Sequence, residues 1–487
     1  MQRNRRTAAW TLGLVSAVLF MVTLDNLVVT TALPRIRIDL GASLSGLEWI
    51  VNAYTLSFAV LLMPGAALGD RFGRRRMLVI GLGIFTGASA AAALAPTTGA
   101  LILARAIQGA GGALVLPLTL TLLSEAFPEG QRGIALGIWS GVSGLGVALG
   151  PVIGGAVVSG ISWHWIFWLN VPVGLIVLPL ALMRLTESYG PNKALDLPGV
   201  AFAGGGLLGI VFALVRANAL GWTSATVLGT GAAGIALLIA FVVWEQRTAT
   251  PMLPMTFFRS RAFSATNVVS LSMYFGMFGA IFLLAQFFQV VQGYSPLEAG
   301  LRTLPWTAMP IVVAPIAGVL SDRVGSRPLL VTGMALMAVG LGWIAAIATP
   351  TVEYLLMVPA FVLAGTGMSM FFAPTANLVL SSVHPDEEGR ASGANNTIRE
   401  IGGVFGVAVL ASVFAANGSY ATPQAFVDGM VPAVWVGAAA VAIASIVALA
   451  VPGRRLLAGM HLPEVPAMPE LRVGRPEPQP IRVRVDD

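Results

Sequence analysis

"AALGDRFGRRRM" occupies residues 66–77 and "GVLSDRVGSRPL" occupies residues 318–329. Both contain Asp-Arg-x-Gly: Asp70, Arg71 and Gly73 in the first copy, Asp322, Arg323 and Gly325 in the second, 252 residues further on. A single four-residue match carries little weight. Here each copy forms a short charged connection between two apolar runs, each of about 20 residues. Its return at the same topological point predicts a chain built from two parallel halves.

The composition agrees with a chain buried in lipid. Of 487 residues, 56% are hydrophobic and 10% charged, against about 25% charged in soluble domains. Such a chain cannot cover a water-exposed surface, which predicts an all-α polytopic membrane protein. The absence of cysteine excludes disulfides and thiolate metal sites. His164, His384 and His461 are scattered and predict no metal cluster. Lys193, in "YGPNKAL", is the single lysine and does not follow a glycine-rich phosphate loop. ATP hydrolysis is therefore not expected, and no cofactor is predicted.

Apolar runs long enough to span fall at 10–34, 46–69, 77–95, 99–123, 133–159 and 165–184, then at 197–217 and 223–244. Six more follow at 262–291, 297–320, 328–348, 353–380, 391–414 and 430–451. The first is read as an uncleaved span rather than a signal peptide, because its apolar run is long and lacks a convincing cleavage site. With both termini placed in the cytoplasm, 22 of the 28 basic residues lie inside. Arg35, Arg37, Arg216 and Arg302 lie outside, and Arg105 and Arg399 fall within spans. This asymmetry fixes the expected orientation and accounts for the net charge of +6 without a nucleic-acid partner. Residues 456–487, with six prolines and no apolar run, are expected to be a disordered cytoplasmic tail.

The repeat is similar to motif A of the major facilitator superfamily, and further stretches resemble its fourteen-span drug:proton antiporter family. "LDNLVVTTALP" (24–34) resembles the first-helix motif, "RAIQGAGGALVLP" (105–117) motif B, and "GVALGPVIGG" (146–155) motif C, the antiporter motif. "WHWIFWLNVPVG" (163–174) resembles the pattern entering the sixth span. The resemblance covers everything except the tail. It implies a six-helix bundle at 1–187, an inserted two-helix pair at 188–250 and a second six-helix bundle at 251–455. Ala66, His164 and Glu400 depart from the residues more usual there, glycine, arginine and glutamine. Of these, Glu400 bears on the ion chemistry.

Asp25 is the only charged residue between Thr7 and Pro34. It lies about 22 Å along the helix from Trp10, at 1.5 Å per residue, in the outer half of the expected membrane. An ionised carboxylate there costs at least about 2.5–3.5 kcal/mol, so such residues usually face a cavity and mark an ion or substrate path. The chemistry points to a proton site, shared with a cationic substrate, since either a proton or a cation neutralises the group. The competing reading is a structural hydrogen bond between helices. Arg105 needs a carboxylate, a polar cavity or backbone carbonyls, and the resemblance implies that it assists proton transfer. Whether Asp25 is its partner is not legible here. Arg399 and Glu400 fall near mid-membrane but diverge by about 100° around the helix, so they do not pair with each other. Glu400 is a second proton or cation candidate, set against a structural salt bridge. Glu48 and Glu353, at span starts, are expected to be solvated interfacial charges.

Gly146, Gly150 and Gly154 share one helical face that permits close helix approach, and Pro151 removes a backbone hydrogen bond. With Gly155, the resemblance gives this stretch the role of seal and hinge between the halves. It makes Asp70, Arg71, Gly73 and Arg74 a cytoplasmic gate whose charge contacts hold the outward-open state, and extends that role to Asp322, Arg323 and Gly325. Arg75 and Arg76 are expected to be topogenic. Tyr274, Phe275, Phe278, Phe282, Met368, Met370, Phe371 and Phe372 are expected mostly to pack or face lipid. A subset, Tyr274, Phe278 and Phe371 with Asn26 and Arg399, forms the candidate substrate cavity.

The expected function is a proton-coupled antiporter of the bacterial plasma membrane that exports lipophilic, cationic small molecules as a monomer. The competing classes are an exporter of one self-made antibiotic, a nutrient symporter on the same fold, and a non-transporting sensor. The antiporter motif argues against the symporter, and a sensor leaves Asp25 unexplained.

Overall fold

Inside a bilayer the backbone has no water to bond, so an apolar run must close its own hydrogen bonds. In the computed structural model each of the fourteen runs does so as helix. Residues 2–190, 195–384 and 387–453 are described, without the side chains of residues 2–6, 129, 130, 133 and 322. The expected tail at 456–487 and Lys193 lie outside the described residues, as does the side chain of Asp322. Among the described residues there is no strand.

The first half comprises α1 (Gln2–Asp39), α2 (Leu44–Phe72), α3 (Arg74–Ala93), α4 (Thr98–Ala126), α5 (Glu129–Gly160), α6 (Trp165–Trp168) and α7 (Asn170–Arg184). The inserted pair is α8 (Leu197–Leu220) and α9 (Ala225–Arg247). The second half comprises α10 (Arg261–Gln286), α11 (Pro296–Thr307), α12 (Met309–Val324), α13 (Ser326–Ile347), α14 (Tyr354–Ser381), α15 (Glu388–Asn417) and α16 (Pro423–Ala448). Two spans are thus interrupted: α6 and α7 meet at Leu169, and α11 and α12 meet at Ala308, where Pro310 lacks the N–H that would continue the ladder.

Both Asp-Arg-x-Gly copies form the same turn. Gly73 ends α2 with φ 105° and Gly325 ends α12 with φ 90°, a region that residues with a β-carbon rarely occupy. The N–H of Gly73 returns to the Gly69 carbonyl at 3.0 Å, and that of Gly325 to the Ser321 carbonyl at 2.9 Å. The glycine in the repeat is therefore a backbone requirement in each half.

Glycine contacts repeat as well. On the α5 face against α1, a β-carbon on Gly150 would lie 2.9 Å from Leu27 Cβ, and one on Gly154 would lie 2.9 Å from the Val28 carbonyl. In the second half α15 approaches α10 in the same way, with Gly406 set against the Phe275 backbone and Gly402 against Leu271. In both halves the first and fifth spanning segments are joined through small residues.

The halves are knit at the end opposite the Asp-Arg-x-Gly turns. A β-carbon on Gly155 would lie 2.8 Å from Leu297 Cα, and one on Gly300 would meet the Pro151 carbonyl. The Leu297 N–H donates to Ser159 Oγ at 3.0 Å, and Gln289 Nε2 donates to the Thr31 carbonyl at 2.9 Å. The Arg37 guanidinium lies 3.7 Å above the Tyr420 ring. Toward the other end α5 still packs Ala135 and Trp139 within its own half, but its other face is open: Gly137, Gly141 and Gly144 face open space, and Ile134 and Ile138 are exposed. Beside this interface α8 packs Leu207, Val211 and Val215 against Leu56 of α2 and Val404 and Ala408 of α15. Asn218 Nδ2 also donates to the Ser412 carbonyl at 2.7 Å. Outside it, α9 leaves Leu228, Ile235 and Ile239 exposed.

Because the chain has no cysteine, Ser159→Cys with Leu297→Cys introduces the only two thiols. Oxidation is expected to join them in this state and to stop flux until a reductant is added. Failure to cross-link, measured by mobility after cleavage between the halves, would contradict the closed end.

Candidate functional site

Helix α1 carries Asp25 to the point where α3, α4 and α7 converge, and only 1% of the residue is exposed. Its Oδ2 accepts from Arg105 Nη1 at 2.5 Å. Its Oδ1 accepts from Gln108 Nε2 at 2.8 Å and Asn170 Nδ2 at 2.7 Å. Ser89 Oγ accepts from the same two amides at 2.8 and 3.3 Å. Arg105 Nη1 also donates to Gln108 Oε1 at 2.7 Å, and its Nε donates to the Ile50 carbonyl at 3.4 Å. The guanidinium lies 4.1 Å from the centre of the Tyr54 ring, a cation–π contact that strengthens where water is excluded.

This geometry identifies Asp25 as the partner of Arg105. The carboxylate points neither at lipid nor into bulk water. With only 1% of the residue exposed, it also lines no open cavity in this state, and all its hydrogen-bond partners belong to the first half. Asn26, its neighbour on α1, is only partly buried.

In the second half the charges are arranged differently. Arg399 donates through Nη2 to the Tyr274 hydroxyl and through Nη1 to Asn396 Oδ1 at 3.0 Å. Its guanidinium lies 4.7 Å from the Tyr274 ring, 5.8 Å from Phe371 and 5.7 Å from Phe372. Tyr274, Phe278 and Phe371 are buried, and the Tyr274 ring contacts both of the others. Met368 and Phe282 are also buried, while Phe275, Met370 and Phe372 are partly so. These side chains pack in the interior rather than against lipid. Glu400 has an enclosed Oε2 with no hydrogen-bond partner.

At the first Asp-Arg-x-Gly turn, Asp70 Oδ1 accepts from Arg74 Nε at 2.9 Å and Nη2 at 2.8 Å, and Arg74 Nη1 donates to Glu125 of α4. Glu187, beyond α7, accepts the backbone N–H groups of Arg75 and Arg76 at 2.9 and 3.2 Å and so caps the start of α3. Arg71 lies against Phe72 at 5.1 Å. These contacts stay on the first-half side, and none reaches the second half. Arg323 at the second turn is exposed. Along the α5 stretch, Gly146, Gly150 and Gly154 meet α1 within one half, whereas Pro151 and Gly155 meet α11 of the other.

Several site residues had not been singled out from the sequence. Gln108 and Asn170 lay inside quoted stretches, but only the fold reveals that both amides serve Asp25. Ser89 gave no signal within an alanine-rich run. Tyr54, on α2, is 1% exposed, and its hydroxyl has no hydrogen-bond partner. That hydroxyl lies within electrostatic range of Asp25, Arg105 and, across the interface, Glu400. A tyrosine midway along an apolar span was the available clue. The expectation of a solvated Glu48 is corrected: it is 2% exposed and its Oε2 is unpartnered, because the second half covers the start of α2. Asn52, one turn further on, is fully buried with both polar atoms unpartnered. Glu353 is exposed, as expected.

Removing one member of a buried ion pair leaves the other uncompensated and costs about 3–5 kcal/mol. Arg105→Met is therefore expected to lower stability by about that amount in detergent unfolding. The double variant Asp25→Asn with Arg105→Met leaves no net charge and should recover most of the loss. Equal loss in both variants would show that the pair is not electrostatically coupled.

Known proteins place this geometry in a family. The family model described as the Major Facilitator Superfamily matches residues 15–198 and 197–407. The Tetracenomycin C resistance and export protein of Streptomyces glaucescens is 35% identical over 93% of this chain and 84% of its own length. The Multidrug resistance protein Stp of Mycobacterium tuberculosis is 36% identical over 84% of this chain and 76% of its own. The Cephamycin export protein CmcT of Amycolatopsis lactamdurans is 38% identical over 84% and 86%. Among solved structures, the partially occluded inward-open xylose transporter XylE from E. coli superposes with a TM-score of 0.61 at 14% identity, over 92% of this chain and 98% of that one. That likeness shows the fold. With twelve apolar spans in two repeated halves and two more inserted between them, the chain belongs to the major facilitator superfamily of membrane transporters.

Proposed function

We propose that this protein exports lipophilic, cationic small molecules from the bacterial cytoplasm in exchange for protons, as a monomer in the plasma membrane with both termini inside. The proton gradient, rather than ATP, drives it. The observation that carries the reading is the placement of Tyr54. Its ring lies against Arg105 of the buried pair, and its enclosed, unpartnered hydroxyl, beside Gly112 of α4, is within electrostatic range of Asp25, Arg105 and Glu400 alike.

In the state described, Asp25 and Arg105 neutralise each other. A proton reaching Asp25 from outside removes the counter-charge, and Arg105 becomes an uncompensated cation beneath Tyr54. A cationic cargo held near Glu400 is then repelled. Loss of that proton to the cytoplasm restores the pair and lets Glu400 attract the next cargo. The apolar part of the cargo would lie among Tyr274, Phe278 and Phe371, beside Asn26 where the halves meet. Arg399 occupies the cation–π face of that aromatic group and would turn aside on binding. Motion between states would be rocking of the two halves about the glycine-lined contacts of α1, α5 and α11.

The names of the relatives support export as the direction and antibiotics or drugs as the cargo class. Two of them are named for export of a single compound, which favours a dedicated exporter as the second reading. The range of compounds carried separates the two.

The test is flux in membrane vesicles under an imposed proton gradient. Asp25→Asn is expected to abolish gradient dependence. Glu400→Gln should cut flux of cationic cargo by about tenfold, the value of one charge-assisted contact worth about 1.4 kcal/mol, with neutral cargo little affected. Normal proton–cargo exchange in both variants would overturn the assignment.

A further inference from the structure

Away from the transport site, two carboxyl groups meet where the inserted pair joins the rest of the chain. Asp196 caps α8: its Oδ1 accepts from the Gly199 N–H at 2.9 Å and from Trp244 Nε1 of α9 at 2.7 Å. Glu245, near the end of α9 and 3% exposed, accepts from the Leu253 N–H through Oε2 at 2.9 Å. That leaves Asp196 Oδ2 and Glu245 Oε1, both enclosed and both without a hydrogen-bond partner. They converge on one point, lying 2.5 and 2.8 Å from where a β-carbon on Gly199 would sit. Gly199 is thus the residue that leaves room for the two acids to meet.

Two facing carboxylates withdrawn from water do not both ionise, because each disfavours the charge of the other. Among the described residues neither acid has a cation within ion-pair distance. The charged group acting on Glu245 is Asp196; its other polar neighbours there are the backbone N–H groups of Met252 and Leu253. Arg247 on α9 and Arg259, in the 3-10 turn packed against it, are exposed. Lys193 lies outside the described residues.

We propose that Asp196 and Glu245 form a proton-binding site distinct from the transport site, with one proton shared between Asp196 Oδ2 and Glu245 Oε1. The hydrogen converts two repelling acceptors into a donor–acceptor pair. It closes a clasp between the segment that leaves the first half, capped by Asp196, and the segment entering the second half, held through Leu253. The site lies at the arginine-rich end, so on the proposed orientation it reads the cytoplasmic proton concentration. The sign follows from linkage. The folded chain holds a proton that two separated carboxyls release well below neutral pH, so this stabilisation is full at low pH and fades as pH rises through the shared titration.

The test uses the full-length protein in lipid nanodiscs, with thermal unfolding followed from acid to alkaline pH. Wild type is expected to lose stability as pH rises, by up to tenfold in the folded-to-unfolded ratio per pH unit, the slope set by one proton. Glu245→Gln and Asp196→Asn each supply a permanent N–H in place of the proton. Both should retain the low-pH stability at alkaline pH, and a protonated carboxyl band should vanish from their infrared difference spectra. Parallel pH profiles for wild type and both amide variants would overturn the site. So would stabilisation by sodium, potassium or calcium that is lost in the variants, which would make it a metal-cation site. A pH dependence abolished by Lys193→Met would make it an ion pair instead. Failure of this test leaves the vesicle result for Asp25 and Glu400 untouched, because neither residue contacts the clasp.

Discussion

Withdrawing a carboxylate and a guanidinium from water costs several kcal/mol for each ion, and their attraction offsets that only when the remaining donors and acceptors are satisfied. Asp25 and Arg105, 2.5 Å apart and each about 1% exposed, meet that condition through other helices. Gln108 comes from α4, Asn170 from the first position of α7, Ser89 from α3 and the Ile50 carbonyl from α2. Five helices must therefore hold their relative places for one ion pair to be tolerated. The first half gains rigidity from this, since sliding α1, α2, α4 or α7 strips a partner from a buried charge, and sliding α3 strips one from the amides that serve it. A half that cannot deform has to move as one body, which transport by rocking requires.

The moving surface is built from the opposite material. Where α5 meets α11 across the halves, contact is largely between backbones, because Gly155 and Gly300 lack the side chains that would hold the helices apart. Such contacts carry no charge and need little desolvation, yet dispersion makes them sensitive to separations of well under an ångström. An interface of this kind is closed or open with little between. The closed end adds a few hydrogen bonds, such as Leu297 to Ser159 and Gln289 to Thr31, which can exchange with water when the halves part. Strong polar bonding lies within a half and weak, glycine-lined packing lies between halves.

Much of the architecture was legible because lipid imposes simple rules. A span needs about 20 apolar residues, so all fourteen helices could be placed by inspection, and the turn glycines Gly73 and Gly325 carried the repeat. A charge in a span is costly, so Asp25, Arg105, Arg399 and Glu400 stood out at once. Partners were harder to read. Gln108 and Asn170 are ordinary amides 62 positions apart in the chain, and nothing local marks them as donors to the same oxygen. Glu48 misled because a span start resembles an interface in one dimension, whereas in three the second half lies over it. Asp196 and Glu245 were hidden for a related reason. Each sits at the end of an inserted helix, where acids usually meet water, and only the pairing of α8 with α9 encloses them. Sequence exposes what a residue costs in lipid; the fold decides what repays that cost.

The two halves end up with unlike electrostatics despite their common ancestry in a repeat. In the first, Asp25 and Arg105 are matched and bonded to each other and to neighbouring amides. In the second, Arg399 is held by a tyrosine hydroxyl, an amide and three rings rather than by an acid, and Glu400 keeps an oxygen with no partner. Their adjacency brings no hydrogen bond between them, because neighbours on a helix point about 100° apart. One half therefore stores a neutral pair that a proton can unbalance, and the other holds an acid that a cation can satisfy. Tyr54 stacks its ring on Arg105 and lies within electrostatic range of both acids. On the proposed coupling, a single added proton would change the field at Glu400 without either acid having to travel. That arrangement needs the first half rigid and the interface dry, and both follow from where this chain puts its amides and its glycines.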